Sequence, residues 1–134
     1  MAMQTTTGRS GPTFVRTAIA LQTAAVFFQA ATAGLLLATS YGELLHGVGA
    51  RVMYGASMLY VLAAVLAWKP GGGPARPVLY ACGFLVLASV QVVLGIARVP
   101  SAHVPLGVLM FGLSLLDLGR VVTDRPAGRA APRP

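Results

Sequence analysis

The chain has 134 residues, 56% of them hydrophobic and 10% charged, with ten basic and three acidic side chains and a formal net charge of +7. Soluble domains carry about 25% charged residues, so these few charges cannot cover a water-facing globule of this length. Together with a mean hydropathy of +0.75, this excludes a soluble enzyme, a disordered chain and a nucleic-acid binder, even though the isoelectric point is near 10.9. Only Glu43 and Arg51 are charged between Thr17 and Trp68. The single cysteine, Cys82, excludes an internal disulfide, and no Cys/His zinc spacing exists.

A membrane-spanning helix needs about 20 mainly apolar residues, and four stretches qualify. Residues 1–12 read as a disordered Thr/Gly/Ser-rich segment. The first helix is predicted over about 14–38. It is too long for the apolar region of a signal peptide and lacks a convincing cleavage site before the next span. The second covers 46–68 and stops at Lys69-Pro70-Gly71-Gly72-Gly73-Pro74, a strong turn signal. The third covers 77–97, with Pro77 in its first turn. The fourth covers 103–122, with Ser101 as its expected N-cap. Residues 123–134, rich in Pro, Ala and Arg, read as disordered. Four helices with short connections predict an all-α membrane protein, an up-down antiparallel bundle.

The basic residues are segregated. Arg9, Arg16, Lys69, Arg76, Arg120, Arg125, Arg129 and Arg133 fall on one side, Arg51 and Arg98 on the other. The positive-inside rule then places both termini and the Gly-rich loop in the cytoplasm of a multi-pass cell-membrane protein. Abundant Ala, Gly and Pro, with one Lys against nine Arg, suggest a bacterial GC-rich genome.

The sequence also repeats itself. At a constant offset of 57, His46 aligns with His103, Met53 with Met110, Gly55 with Gly112, Ser57 with Ser114 and Leu59 with Leu116. The preceding helices echo each other through Gln29 and Gln91. The chain therefore reads as two related helix hairpins, and the repeat pairs its only two histidines. Both are expected in the first turn of a helix running outside to inside, at the same depth, on diagonal helices of the bundle. Diagonal axes roughly 11–14 Å apart leave room for two imidazoles with a metal about 2 Å from each. Two histidines make an incomplete zinc site, whereas a haem iron needs only two axial ligands. One haem per four-helix bundle is the expected cofactor, with His46 and His103 as iron ligands.

Gly49 and Met53 below His46, and Gly107 and Met110 below His103, suit a flat macrocycle between helices and are candidate cofactor contacts. Plainer readings stand beside these. The histidines could be interfacial residues, the Gly and Ser residues ordinary helix-packing positions, the methionines packing groups, and Cys82 a buried apolar residue. Arg51 could meet a haem propionate or snorkel outward. Glu43, three residues before His46, could serve as a catalytic base or stabilise charge. It could equally be a helix-start carboxylate favoured by the dipole. Asp117 and Arg120, a turn apart, are expected to form an ion pair.

Glu43-Leu-Leu-His46 resembles the Glu-x-x-His motif of heme A synthases, and Gln91-Val-Val-Leu-Gly95 followed by His103 is similar to that family's third helix, outer loop and ligand histidine. The resemblance covers about residues 14–122 and is to half-length members with a single four-helix bundle. It implies haem held by His46 and His103, with Glu43 near the methyl group of a substrate haem, and oxidation of haem O to haem A for terminal oxidases. Gly47 stands where the family usually has arginine, and the short outer loop lacks the cysteine pair of many members. A related b-type membrane cytochrome is the non-catalytic version of this expectation. A two-haem electron path would need a homodimer or an oxidase-assembly partner. The alternative is a cofactor-free accessory or assembly subunit. A proton-coupled exporter would need an ionisable group deeper in the membrane than Glu43 or Asp117.

Overall fold

In a computed structural model, which describes residues 10–123 with side chains from residue 13 onward, the chain is all helical in its regular structure: α1 (Ser10–Ala38), α2 (Gly42–Trp68), α3 (Arg76–Ile96) and α4 (Pro100–Thr123). All four helices are long and apolar enough to cross a membrane. At 1.5 Å per residue, even the 21 residues of α3 span the hydrocarbon core of roughly 30 Å. The protein is a four-helix membrane bundle. Its outer surface carries exposed Leu21, Phe27, Leu62, Leu79, Val86 and Leu116, a lipid-facing pattern.

Each helix stops where its backbone chemistry changes. Three glycines wrap around the C-terminus of α2, where the amides of Gly71, Gly72 and Gly73 reach the carbonyls of Leu66, Trp68 and Ala67 at 2.9–3.1 Å. A Cβ at Gly73 would meet the Ala67 carbonyl oxygen at 2.7 Å, and Gly72 has φ +69°. Side-chain-bearing residues do not fit this turn. The α1–α2 turn is shorter. Gly42 lies against the Leu35 carbonyl, and α2 begins four residues before the predicted start, so His46 falls in its second turn. The α4 helix starts at Pro100, which makes Ser101 a helical residue rather than a cap. Pro77 stands in the first turn of α3 as expected. Residues 10–12, predicted as disordered, already belong to α1. The predicted disorder at 1–9 and 124–134, with Arg9, Arg125, Arg129 and Arg133, lies outside the described residues.

Helices pack in the ring α1–α2–α3–α4, with α1/α3 and α2/α4 on the diagonals. Small residues allow close approach, as Ala18, Ala63, Ala64, Ala81 and Ala88 are all buried. In lipid, van der Waals packing of such residues and interhelical hydrogen bonds hold helices together. The interior is layered. An apolar cluster of Val15, Ala18, Ile19, Tyr60, Ala63, Ala64 and Ala81 fills the Gly-rich-loop end. Above it, Thr23 and Ser114 share a hydroxyl hydrogen bond of 2.7 Å, level with buried Ser57. A second apolar cluster holds Ala25, Val26, Met53, Phe84, Ala88 and Met110. Beyond it, at the α1–α2 and α3–α4 turn end, lies a polar layer containing both histidines.

Positions related by the 57-residue offset meet across the α2/α4 diagonal. The rings of His46 and His103 are 6.2 Å apart, Met53 and Met110 share a cluster, and Tyr60 donates its hydroxyl to Asp117 Oδ2 at 2.7 Å. The two hairpins are therefore arranged about a pseudo-two-fold axis along the bundle. This pairing replaces the expected Asp117–Arg120 contact. Asp117 takes the Tyr60 proton donor, and the Arg120 guanidinium lies over the Tyr80 ring, 5.5 Å from its centroid. Cys82 is exposed rather than buried, because its position on α3 faces outward beside buried Ala81.

Candidate functional site

The two imidazoles occupy the same level on diagonal helices. Their centroids are 6.2 Å apart and their planes inclined at 65°. A metal about 2 Å from one nitrogen of each ring sets ring centroids roughly 6 Å apart, which is the separation found. Among the described residues, no group of three or more His, Cys, Asp or Glu side chains gathers at one place.

Hydrogen bonds define which ring nitrogen carries the proton. His103 Nδ1 lies 3.0 Å from the Gln91 carbonyl oxygen. A carbonyl only accepts, so Nδ1 carries a proton and donates it. The same glutamine returns a bond, its Nε2 donating to the His103 carbonyl at 2.8 Å. At His46, the Gln29 amide nitrogen donates to Nε2 at 3.2 Å. The Nδ1 proton then points at the Thr32 hydroxyl, 3.4 Å away, which itself donates to the Gln29 carbonyl at 3.0 Å. Each Nδ1 thus faces an oxygen, the Gln91 carbonyl at His103 and the Thr32 hydroxyl at His46. Metal-ligating histidines are held this way, the second nitrogen bonded to a carbonyl or hydroxyl that fixes ring orientation.

Three glycines make room around these rings. A Cβ at Gly95 would lie 3.2 Å from His103 Cε1, and one at Gly107 would lie 3.0 Å from Gln91 Nε2. At Gly49, a Cβ would overlap Gln29 Oε1. The Oε1 atoms of Gln29 and Gln91 are buried without a hydrogen-bond partner, two orphaned acceptors beside the histidine pair.

The structure brings His46, His103, Gly49 and Gly107 into this one layer and places Met53 and Met110, both buried, in the apolar floor beneath. It does not bring Glu43 or Arg51 into the interior. Glu43 is exposed in the first turn of α2, and Arg51 is exposed on the same helix. Gln29, Gln91, Thr32 and Gly95 contact the two histidines and are positions that site selection from the sequence missed. The Gln29/Gln91 echo was the signal for the first two, because each glutamine lies on the helix preceding a repeat histidine. Thr32 carried none, since it depends on the tight α1–α2 turn. No protein-family model, curated protein or solved structure matches the chain.

Proposed function

We propose that this protein is a haem-binding integral membrane protein in which the Nε2 atoms of His46 and His103 are the axial iron ligands. The observation that carries this reading is the close approach of the two imidazoles, with ring centroids 6.2 Å apart on repeat-related positions. Haem supplies a one-electron iron couple when bound. The chain's own groups do the rest. Gln91 and Thr32 would orient the two rings through Nδ1. Gly49 and Gly107 leave room for the Gln29 and Gln91 amides beside the rings, and Met53 and Met110 would give a bound group a polarisable floor. To hold iron, His46 Nε2 would have to give up its contact with the Gln29 amide. Exposed Arg51 is suited to a propionate, because both belong at the membrane surface.

The finer reading is heme A synthase-like oxidoreductase chemistry in haem biosynthesis, in which a haem O methyl is oxidised to the formyl of haem A. Glu43, one turn before His46, is its proposed catalytic residue. The wider assignment is to a bacterial cell membrane, with both termini in the cytoplasm. Among the described residues, Arg16, Lys69, Arg76 and Arg120 mark that side. A homodimer or an oxidase-assembly partner would complete a longer electron path.

One observation favours a second reading, a cofactor-free accessory subunit. The Gln29 amide already satisfies His46 Nε2, so the histidine layer closes on itself. Purification with added haem separates the two. Haem binding gives a Soret band that His46→Ala and His103→Ala each alter. No Soret band, or one that both variants leave unchanged, defeats the haem reading. Haem extracted from cells that also make haem O contains haem A only if the protein is catalytic. Conversion that survives Glu43→Gln removes Glu43 from that role.

A further inference from the structure

We propose that the α3–α4 seam at the Gly-rich-loop end binds one anionic phospholipid, its phosphate between Arg76 and Arg120 and an acyl chain along the bare surface at Gly83. This seam lies at the opposite end of the bundle from the histidines and is independent of the haem reading.

Charge at this end is lopsided. Among the described residues, Arg16, Lys69, Arg76 and Arg120 stand here against Asp117 alone. Asp117 is engaged inward, where its Oδ2 accepts from the hydroxyl of fully buried Tyr60 at 2.7 Å. Arg16 is engaged by the bundle itself, its Nε donating to the Val121 carbonyl at 3.0 Å. Outside the described residues, the sequence adds one acid, Asp124, against Arg9, Arg125, Arg129 and Arg133. Arg76 and Arg120 are both exposed, and among the described residues neither is paired with a carboxylate.

Arg120 is already set in place. Its guanidinium lies over the Tyr80 ring, 5.5 Å from the centroid, so the planar fork loses little freedom on taking a phosphate. Arg76 stands four residues before Tyr80 on α3. Residues i and i+4 share a helix face, so Arg76 lies one turn beyond the ring toward the membrane surface. Two guanidiniums offered to one phosphate favour charge-assisted, bidentate hydrogen bonds.

Depth and the apolar flank decide the occupant. Trp68 and Tyr80 both lie at this end, and such aromatic residues belong at the headgroup level. Lys69 Nζ, 4.7 Å from the Trp68 ring centroid, carries positive charge at the same level. Toward the membrane centre, Gly83 follows Tyr80 by one turn, and a Cβ there would meet nothing within 4 Å. On α4, exposed Leu116 lies one turn before Arg120, and Gly112, a turn further, is equally bare. A paired positive mouth above an apolar track poor in side chains fits a phosphate ester that carries an acyl chain. A free anion would use the mouth alone.

Native mass spectrometry of the detergent-purified chain, titrated with dioleoylphosphatidylglycerol or zwitterionic dioleoylphosphatidylcholine, is the test. One phosphatidylglycerol per chain is expected, bound about 5-fold more tightly than phosphatidylcholine. A basic residue near the membrane surface contributes about 5-fold. Arg76→Gln and Arg120→Gln should therefore each lower phosphatidylglycerol affinity about 5-fold, and the double variant about 25-fold. Lys69→Gln makes the same charge change on the residue after α2, outside the seam, and should leave affinity within about 2-fold. Tyr80→Phe keeps the ring and the affinity, whereas Tyr80→Leu lowers affinity about 2- to 5-fold at unchanged charge. Arg120→Lys, which keeps the charge and loses the fork, replaces Tyr80→Leu if that variant does not fold. Equal losses from Lys69→Gln and the arginine variants would reduce the site to the general charge of this end and overturn the proposal. Equal binding of the two lipids would overturn it too. Inorganic phosphate that displaces the lipid more than sodium chloride does at matched ionic strength would show a water-facing anion site and overturn the lipid assignment.

Discussion

Gly95→Ala separates the stability of the bundle from the orientation of His103. The new methyl would sit 3.2 Å from His103 Cε1 and 3.5 Å from Nδ1, where ordinary contact is 3.4–4 Å. The ring must therefore give by about 0.2 Å to reach ordinary contact. Moved away from its partner by that amount, Nδ1 goes from 3.0 Å to about 3.2 Å from the Gln91 carbonyl, a lengthened and weaker hydrogen bond. Losing the whole bond would cost about 0.5–1.5 kcal/mol, so the weakening sits at the low end, roughly 2-fold in any affinity that depends on ring orientation. Alanine in place of glycine within a helix returns about 0.5–1 kcal/mol. The two effects nearly cancel in folding, but only the first reaches the haem site. Gly83→Ala is the control, since it lies on the same helix with nothing within 4 Å of its added methyl. Haem titration followed by Soret absorbance, with SDS unfolding in parallel, should show Gly95→Ala weakened about 2-fold in haem binding at near-wild-type stability. Equal haem affinity in the two variants would refute the role assigned to Gly95.

The Tyr60–Asp117 bond should be measurable in a double-mutant cycle with Tyr60→Phe and Asp117→Leu, read by reversible unfolding in mixed micelles. Interhelical bonds in membranes average about 0.6 kcal/mol and reach about 1.7. A coupling of about 1 kcal/mol is expected here, and zero coupling would remove this contact from the forces holding the diagonal helices. Arg98 has φ +55°, a conformation that costs a non-glycine residue about 1 kcal/mol. Arg98→Gly should therefore raise stability by about 0.5–1 kcal/mol, and a fall would show that the arginine side chain holds the α3–α4 connection. Thr23→Val removes the 2.7 Å bond to Ser114 at nearly constant volume. It should destabilise the bundle by about 0.5–1.5 kcal/mol, and unchanged unfolding would show that this bond contributes nothing.

The sequence is direct about spans and silent about local turns. Long apolar runs between Gly/Pro-rich breaks specify four helices with little ambiguity, and short connections impose the diagonal placement of α2 and α4. The His46/His103 meeting was legible because one offset related both residues to helices of the same direction. The same offset carries Tyr60 onto Asp117, so that contact was also available to inspection. It was obscured by the closer Asp117–Arg120 spacing, which ignores that Arg120 can turn toward the Tyr80 ring. The early start of α2 could not be read from periodicity. It depends on Gly42 packing against the Leu35 carbonyl, a contact between elements. The glutamine partners escaped for a similar reason. A polar residue in an apolar span announces itself, but which atom it satisfies depends on the register of the neighbouring helix. Glu43 and Arg51 stood out by charge alone, and charge in a membrane protein marks the exposed ends as readily as the interior.

The absorption spectrum of the detergent-purified protein, reconstituted with haem and then reduced, tests the central claim most directly. Two histidine ligands predict a sharp low-spin Soret band with resolved visible bands on reduction, lost in the His46→Ala/His103→Ala double variant. A protein that takes up no haem, or whose spectrum is the same without both histidines, contradicts the account.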